Sequence, residues 1–463
     1  MSESLKTFSP VDGSLYVERA YTPLSTIDDM LDAAQAAQRE WRLVPIAERA
    51  ALLQKCVDRF VSKKDVIVEE LAWQMGRPVK FGAGEVGGFE ERSRHMISIA
   101  EKALQTVEVP EKEGFTRYIK REPVGVVFTI APWNFPYMTA VNSIVPALMA
   151  GNAVILKHAT QTHLCGERMV EAFVEAGLPK DLFQVVVASH QTAASIIQSD
   201  KVNFVCFTGS VPAGKAIEEA AVGHFIGVGL ELGGKDPAYV RADADVSYAA
   251  ENLVDGAMFN SGQSCCGIER IYVHADVYDD FVAKFVDVVK EYKLGSPVDP
   301  ETTLGPLVNA KAADFVRGQV ADAVKAGAKS LIDPKLFPED KPGTPYLAPD
   351  VVVDVDHSMR IMTEESFGPV VGIMKVASDE EAIRLMNDSE FGLTASVWTN
   401  DEEAAIRIGD QVATGTWFMN RCDYLDPALA WTGVKNSGRG CTLSSVGYES
   451  LTRPKSYHLR TKI

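Results

Sequence analysis

An apolar run from Val124 to Ala131, bounded by Pro123 and Pro132, constrains the fold more than any other stretch. A run of this kind is typical of a strand that is buried on both faces of a sheet. Strand-like and helical segments alternate around and after it, at residues 152–157, 164–176, 183–187, 192–198, 203–207 and 211–221. This alternation predicts a parallel, doubly wound α/β sheet with helices on both faces.

The segments on either side of this alternation differ in character. Residues 26–105 show apolar residues at helical spacing and predict several helices, the first with Ser25 or Thr26 as its N-cap. After Gly233 and Gly234 a second strand–helix series begins, and the last 15 residues have the alternating character of an extended tail. A chain of 463 residues exceeds what one hydrophobic core normally supports, so we expect two or three domains.

Composition limits the partners of this chain. It has 46 basic and 63 acidic residues, a formal charge of −17 and no basic cluster, which argues against nucleic acid or an anionic membrane surface as the main partner. No apolar run approaches the roughly 18–20 residues that cross a bilayer, and the first residues lack the apolar core of a signal peptide. The seven cysteines are scattered without framework spacing, so we expect reduced thiols, a cytoplasmic location and no metal site.

The stretch from Gly262 to Cys266, Gly-Gln-Ser-Cys-Cys, places two thiols side by side. A cysteine in a long chain is most often a small buried apolar residue. A catalytic cysteine needs a lowered pKa and access for a substrate. Two further residues, Asn134 and Glu231, favour the catalytic interpretation.

Both of these polar residues lie in apolar surroundings. Glu231 is flanked by Leu230, Leu232 and glycines, which should raise its pKa and suit a general base; a buried structural ion pair is the alternative. Asn134 lies in a Trp-Asn-Phe-Pro turn directly after the buried strand. Its amide could donate to an oxyanion there, and a plain turn-capping asparagine is the alternative.

Two features indicate a phosphate-bearing ligand. Gly209 begins a Gly-x4-Gly pattern, ending at Gly214, at a strand-to-helix junction where backbone N–H groups and the helix dipole favour phosphate. The pattern is neither Gly-x-Gly-x-x-Gly nor a P-loop, so an ordinary turn is the alternative. Lys157 ends a buried-type strand, where open α/β sheets bind ligands; a solvated charge is the alternative there.

Taken together, these stretches resemble the NAD(P)-dependent aldehyde dehydrogenase superfamily over essentially the whole chain. The family's thiol pattern, Gly-Gln-x-Cys, selects Cys265 over Cys266. The stretches that fit in order and spacing are Pro132–Pro136, Lys157, Phe207–Gly214, Leu230–Pro237, Gly262–Cys265, Glu365–Pro369 and Lys435–Gly438.

The resemblance implies an α/β fold of the aldehyde dehydrogenase type with three parts. A Rossmann-type NAD(P)-binding domain would comprise residues 1–105 and 122–233, and an α/β catalytic domain residues 234–445. A small β oligomerisation element would combine residues 106–121 and 446–463, which implies a homodimer or a homotetramer.

The resemblance also implies roles for individual residues. Cys265 would attack the aldehyde carbon, Asn134 and the backbone N–H of Cys265 would hold the oxyanion, and Glu231 would activate the water that releases the acid. The residues implied to bind NAD or NADP are Trp133, Lys157, Thr160, Gly209, Ser210, Gly214, Leu232, Glu365 and Phe367. Those expected to line the substrate pocket are Phe135, Met138, Asn142, Phe259, Ser264, Cys266, Arg421, Leu425 and Trp431.

Two departures from the family pattern leave the cofactor and the substrate open. NAD-selective members often carry a glutamate three residues after the strand lysine, but Thr160 stands there, so NADP is not disfavoured. Lys-His-Ala at 157–159 is also similar to the shorter succinate-semialdehyde dehydrogenase-like members. The Arg-Glu pair that often follows the last motif is replaced by Cys441 and Thr442.

Charged residues of both signs in the loop before Trp431 suggest substrates of opposite charge. Arg421 could pair with a carboxylated aldehyde, whereas Asp423 and Asp426 could pair with an aminoaldehyde. Pairing of these charges with one another is the third possibility.

Competing hypotheses concern the chemistry itself. An acylating relative would pass the thioacyl group to coenzyme A, but such sequences typically lack the base, and Glu231 is present. A non-catalytic relative with a structural or binding role would tend to lose Cys265 or Glu231. An unrelated cysteine hydrolase would need a histidine partner, and none of the eight histidines lies in a recognisable pairing motif.

Overall fold

The computed structural model describes residues 4–463. Residues 1–3, which the sequence analysis includes in the NAD(P)-binding domain and in the N-terminal stretch without a signal peptide, lie outside this range. The first elements are β1 (Ser4–Phe8) and β2 (Leu15–Ala20), an antiparallel pair that the sequence analysis did not predict.

Four helices follow this pair, as the sequence predicts: α1 (Leu24–Trp41), α2 (Ile46–Val61), α3 (Lys64–Met75) and α4 (Val79–Ala103). The predicted N-cap of the first helix is wrong. Pro23 occupies the N-cap position of α1, so Ser25 and Thr26 already belong to the helix.

The predicted buried strand is the centre of the first large sheet. The elements of this part of the chain are β3 (Val107–Glu108), β4 (Phe115–Pro123), β5 (Val126–Ala131), α5 (Pro136–Ala150), β6 (Ala153–His158), α6 (His163–Glu175), β7 (Phe183–Val185), α7 (His190–Ile197), β8 (Phe204–Thr208), α8 (Val211–Ala221) and β9 (Gly227–Glu231). Five strands lie in the order β9-β8-β5-β6-β7 and all run parallel. Every residue of β5 is buried, because strands flank both its edges and helices cover the sheet.

The second strand–helix series forms a seven-stranded sheet. Its elements are β10 (Asp236–Val240), α9 (Val246–Met258), β11 (Ile268–His274), α10 (Tyr278–Val289), α11 (Ala310–Lys325), β12 (Lys329–Ser330), β13 (Asp350–Val353), α12 (Arg360–Thr363), β14 (Val370–Val376), α13 (Asp379–Asn387), β15 (Thr394–Trp398), α14 (Glu402–Gly409) and β16 (Thr416–Met419). The order is β12-β13-β14-β11-β10-β15-β16, and only β12 pairs antiparallel. Neighbouring residues on one strand belong to different hydrophobic clusters, such as Ala238 and Tyr239, so both faces of the sheet are covered.

The chain ends with β17 (Gly438–Arg439) and β18 (Thr452–Arg460). β17 pairs antiparallel with β9 and so extends the first sheet. β18 pairs antiparallel with β4, and β3 lies on the other side of β4. The strands β3, β4 and β18 therefore form one small sheet.

Within residues 4–463 no helix combines the length and the apolar character needed to cross a membrane. The same residues contain no group of three or more His, Cys, Asp or Glu side chains placed to hold a metal ion.

Candidate active site

A cavity of about 500 Å³ lies at the carboxyl ends of β5, β6, β8 and β9. The strands β6 and β8 flank β5 on opposite sides, which makes this edge a topological switch point, where open α/β sheets bind their ligands. The chain's second half contributes Cys265, Glu365 and Phe367 to the opposite wall. The cavity therefore lies between the first sheet and loops of the second half.

Most of the residues predicted to bind the cofactor line this cavity. Gly214 is the exception, because it is buried in α8 and allows that helix to approach the side chain of Leu232. The predicted cofactor residues that line the cavity are Trp133, Lys157, Thr160, Gly209, Ser210, Leu232, Glu365 and Phe367.

Two charged side chains of this lining fit a nicotinamide dinucleotide. Lys157 is only 6% exposed, burial lowers its pKa, and its ammonium group has no acceptor among residues 4–463. Burial, reinforced by the neighbouring Glu269, raises the pKa of Glu365 to about 8, so this carboxyl can donate as well as accept near neutral pH. Ribose hydroxyls and phosphates would supply the acceptors that Lys157 lacks.

The loop that carries Cys265 is held in an unusual backbone conformation. Asn260 and Ser261 have φ values of 53° and 57°, in the left-handed region that few non-glycine residues adopt. Gly262 follows with φ of 70°, and a side chain there would collide with the carbonyl of Gly368. This path brings Cys265, which is half-buried, to a position where it lines two cavities at once.

Asn134 lies at the carboxyl end of β5 and is held against the cysteine loop. Its carbonyl accepts hydrogen bonds from Arg77 Nη2 at 2.6 Å and from Asn260 Nδ2 at 3.3 Å. Its side-chain Nδ2 donates to the carbonyl of Gln263 at 3.2 Å. The amide N–H₂ therefore lies beside the backbone that precedes Cys265.

Glu231 ends β9 and lines the second cavity together with Cys265. Its carboxyl accepts hydrogen bonds from Thr442 Oγ1 at 2.6 Å and from Thr208 Oγ1 at 3.2 Å. Burial raises its pKa above the usual value, and the two hydroxyls oppose this shift. Its hydrogen-bond partners are neutral hydroxyls, and among residues 4–463 no cation forms an ion pair with it.

The second cavity, of about 260 Å³, lies on the other side of Cys265, between α4, α5 and the loop before Trp431. This volume is below the roughly 300–1,000 Å³ typical of drug-sized ligands, and suits a small aldehyde. The predicted substrate residues in its lining are Phe135, Met138, Asn142, Phe259, Ser264, Cys266, Leu425 and Trp431.

Arg421, predicted for this pocket, does not line it. Asn420 and Asp423 both have positive φ values, 53° and 50°, and the resulting turns direct Asp423 inward. The guanidinium of Arg421 instead stacks over the Tyr424 ring at 3.7 Å, in an exposed position. Asp426 is exposed and is absent from the lining as well.

Several charged residues of the site escaped the sequence analysis. The buried pair Arg77 and Glu85 ties the Asn134 turn to the start of α5, where Glu85 accepts from the N–H groups of Tyr137 and Met138, both at 2.9 Å. Arg92 on α4 lines the second cavity. In the sequence Arg92 stands on a predicted helix, and an arginine in such a position usually lies on the solvated face, so nothing there indicated a place in the site.

A second buried pair positions the loop that contributes Glu365. Lys235 Nζ lies 2.6 Å from Glu269 Oε2, and the same carboxylate accepts from the N–H groups of Ser366 and Phe367 at 2.7 and 2.9 Å. Glu365 in turn accepts from the N–H of Gly234 at 3.0 Å. These contacts fix two predicted cofactor residues at the wall of the larger cavity.

Comparison with known proteins decides the family. Residues 1–457 match the model of the aldehyde dehydrogenase family. The chain belongs to this family. As an aldehyde dehydrogenase it is an enzyme that oxidises an aldehyde with NAD(P)⁺, which confirms the resemblance, the fold class and the reaction class predicted from sequence.

Relatives of this aldehyde dehydrogenase cover its whole length. Succinate-semialdehyde dehydrogenase (NADP⁺) 1 of Mycobacterium tuberculosis H37Rv is 34% identical over 98% of this chain and 99% of its own. The NADP-dependent glyceraldehyde-3-phosphate dehydrogenase from Bacillus halodurans C-125, solved with NADP, is 34% identical with a TM-score of 0.93, over 100% of this chain and 96% of its own. PnpE from Pseudomonas sp. WBC-3, solved with nicotinamide adenine dinucleotide, is 31% identical with a TM-score of 0.94, over 99% of this chain and 95% of its own.

Proposed function

We propose that Cys265 is the nucleophile of a hydrolytic aldehyde dehydrogenase, with Asn134 as oxyanion donor and Glu231 as general base. The observation that carries this proposal is the position of Cys265, which lines both the larger cavity and the smaller one. A thiol at this junction can reach an aldehyde on one side and a cofactor on the other. Cys266, its neighbour, lines only the smaller cavity.

The first half of the reaction forms a bond between Cys265 Sγ and the aldehyde carbon. As the carbonyl oxygen becomes an oxyanion, the Asn134 amide and the backbone N–H of Cys265 donate hydrogen bonds to it. NAD(P)⁺, when bound, would supply the hydride acceptor, so that the carbon–hydrogen bond breaks, the oxyanion becomes a carbonyl again and a thioester remains on Cys265. Lys157, Thr160 and the residues of the larger cavity would hold the cofactor.

The second half releases the acid from the thioester carried by Cys265. Glu231 takes a proton from a water molecule, whose oxygen bonds to the carbonyl carbon while the carbon–sulfur bond breaks. The proton then returns to the thiolate or to solvent. A carboxyl whose pKa is raised by burial is a stronger base than an exposed one, which supports this role.

The main alternative is transfer of the acyl group to coenzyme A. The presence of Glu231 beside the same small cavity as Cys265 favours water over a thiol acceptor. A non-catalytic role is disfavoured because Cys265, Glu231 and Asn134 lie together around one cavity system.

The cysteine assignment is tested by comparing the two neighbouring thiols. Cys265→Ser should lower the rate of NADH or NADPH formation by about 10³-fold or more, because the hydroxyl is a far weaker nucleophile. Cys266→Ala, the matched variant, should stay far above Cys265→Ser in the same assay. Loss of activity only in Cys266→Ala would overturn the assignment, and turnover that requires added coenzyme A would overturn the role of Glu231.

NADP⁺ is the cofactor that we propose as preferred. Thr160 in the lining carries no charge that would repel a 2′-phosphate, and Lys157 nearby offers an unpartnered cation. Relatives named as NADP⁺-dependent succinate-semialdehyde dehydrogenases support this choice and make succinate semialdehyde the first aldehyde to test. The need for a reduced nucleophile supports a cytoplasmic location, and the small sheet of β3, β4 and β18 supports a homo-oligomer.

A further inference from the structure

Arg92 is a buried cation that faces the substrate cavity without an anionic partner. Its side chain is 8% exposed, and it lines the smaller cavity from α4. Nη1 donates to the carbonyl of Met138 at 2.6 Å and to Asn142 Oδ1 at 3.3 Å. Within residues 4–463 no carboxylate forms an ion pair with it, and its Nε–H and Nη2–H groups have no acceptor.

Burying a guanidinium with unpaired N–H groups costs free energy unless an acceptor binds them. A guanidinium has five N–H donors and stays charged, and a buried charge is normally paired. Three N–H groups remain free, one on Nε and two on Nη2, and the Nε–H and one Nη2–H form the side of the fork that binds a carboxylate with two parallel hydrogen bonds. The missing partner of Arg92 is therefore expected to be an anion that enters the cavity.

Asn142, one turn after Met138 on α5, offers a further donor. Its side chain is 3% exposed, and Nδ2 has no hydrogen-bond partner among the described residues. Because Arg92 can only donate, Asn142 must turn its oxygen towards Arg92, which leaves the N–H₂ group free beside the same cavity. An unpaired buried donor again indicates a ligand acceptor.

Three carboxyl groups line the cavity, and Glu85, which is paired with Arg77, also interacts with Arg92, but among residues 4–463 none of the four lies within ion-pair distance of Arg92. Burial raises the pKa of Asp423 to about 7, and the carboxyl of Glu231, whose pKa burial also raises, is occupied by the hydroxyls of Thr442 and Thr208. Asp423 is also engaged by Cys266 Sγ at 3.1 Å and Ser264 Oγ at 3.3 Å. Glu91 is exposed and accepts from the hydroxyl of Tyr424 at 2.7 Å.

We propose that Arg92 and Asn142 bind a carboxylate at the far end of the substrate, so that the enzyme's aldehydes are small aldehydes that also carry a carboxylate. The proposal rests on aldehyde oxidation by Cys265. It replaces Arg421 as the residue that recognises the anion. The cavity of about 260 Å³ sets the size class at a few carbon atoms between the two groups.

The test compares two substrates of one shape that differ in charge: succinate semialdehyde and its neutral amide, 4-oxobutanamide. The readout is the ratio of their kcat/KM values, so a general loss of activity does not count. In the wild type the ratio should be on the order of 10² in favour of the acid, as expected for a buried charged hydrogen-bond pair. Arg92→Met should lower the ratio to roughly 1–5, mainly through KM of the acid.

Asn142→Asp is the second variant, and it keeps the side-chain shape. The new carboxylate would pair with Arg92 and repel the substrate's own, so the ratio should fall by at least about 10-fold. Arg94→Met is the control for loss of an α4 arginine, because Arg94 pairs with Asp58 and Glu90 at the surface. Its ratio should equal that of the wild type.

The outcomes separate this proposal from the reaction on which it depends. A wild-type ratio near 1, or a ratio that survives in both variants, would overturn the carboxylate site while leaving aldehyde oxidation intact. A higher kcat/KM for glyceraldehyde 3-phosphate or for an aminoaldehyde than for any carboxylated aldehyde would also overturn it. Failure to oxidise every aldehyde, with Cys265→Ser no worse than the wild type, would instead contradict the proposed function.

Discussion

The pKa of Glu231 is raised by burial and lowered by hydrogen bonds from two individual side chains. Burial disfavours the carboxylate, while the hydroxyls of Thr442 and Thr208 stabilise it. Thr442 occupies the stretch where the sequence departs from the family's Arg-Glu pair. A neutral hydroxyl therefore opposes the effect of burial on the proposed base.

Removing that hydroxyl should shift the pH profile. Thr442→Val keeps the side-chain shape but deletes the 2.6 Å hydrogen bond, so the pKa of Glu231 should rise further, by about one pH unit. Because the base acts deprotonated, the ascending limb of steady-state kcat against pH should move to higher pH by that amount. Thr208→Val, which removes a 3.2 Å bond, should shift the limb less. Identical profiles for wild type and Thr442→Val would refute the tuning role.

Thr160 offers a residue-scale test of cofactor choice. It lies just after β6 in the lining of the larger cavity, close in sequence to Lys157. Thr160→Glu would place a carboxylate where a 2′-phosphate is expected, and kcat/KM for NADP⁺ should fall by about 10-fold or more relative to NAD⁺.

Thr160→Gln is the matched variant for this experiment, since it has the size of glutamate without the charge. It should keep the wild-type preference. Equal changes in the Gln and Glu variants would indicate a steric effect and would remove the electrostatic argument.

At the scale of elements, one buried ion pair joins three parts of the site. Arg77, between α3 and α4, contacts Glu85 on α4 and the carbonyl of Asn134, and Glu85 accepts from the first N–H groups of α5. Helix α5 has no acidic residue in its own first turn, so Glu85 supplies the negative charge that a helix N-terminus favours.

Breaking this pair should destabilise the protein and slow catalysis together. Arg77→Met would leave Glu85 buried without its cation, which costs about 3–5 kcal/mol of unfolding free energy. Chemical denaturation gives the stability, and kcat reports the displaced Asn134. The double variant Arg77→Met, Glu85→Gln should be less destabilised than the sum of the two single changes. Additive effects would show that the two side chains act independently.

The arrangement of these elements also shows which parts of the site are predictable from sequence. The strand β5 and the motifs around Asn134, Glu231 and Cys265 were predictable because each is a local pattern along the chain. Arg92 was not, since its partner Asn142 is 50 residues away on another helix. The two helices approach closely at Gly88, where any side chain would collide with Met138. Such a contact between helices leaves no local signature.

The failed assignment of Arg421 has a different cause. Arg421 precedes loop residues that line the smaller cavity, but the direction of its side chain depends on the positive φ values of Asn420 and Asp423. The sequence shows that this loop carries both a basic and acidic residues, but not which of them faces the cavity. The backbone turn places Asp423 there. Sequence also missed the pair β1 and β2, whose few apolar residues gave no periodic pattern.

At the scale of the whole molecule, β18 is an unprotected edge. It is nine residues long and exposed along most of its length, and among residues 4–463 only β4 pairs with it, on one side. Long exposed edge strands are templates for pairing with another chain, which supports the proposed homo-oligomer.

The direction of each N–H group on β18 follows from two observations. Thr461, just after the strand, donates to the carbonyl of Gly114 on the β4 side, so odd-numbered residues face β4. Pro454, an even-numbered residue, has no N–H to donate, and proline within a strand is tolerated where its nitrogen faces away from the ladder. Ser456 should therefore direct its N–H towards the free edge.

Ser456→Pro should consequently weaken assembly without breaking the β18–β4 pairing. The wild type should elute as a dimer or tetramer in size-exclusion chromatography with light scattering, whereas Ser456→Pro should shift towards the monomer at the same protein concentration. Ser456→Ala keeps the N–H group and should behave as the wild type. A monomeric wild type, or equal masses for the proline and alanine variants, would contradict assembly through this edge, because only the proline removes a backbone donor that the partner strand needs.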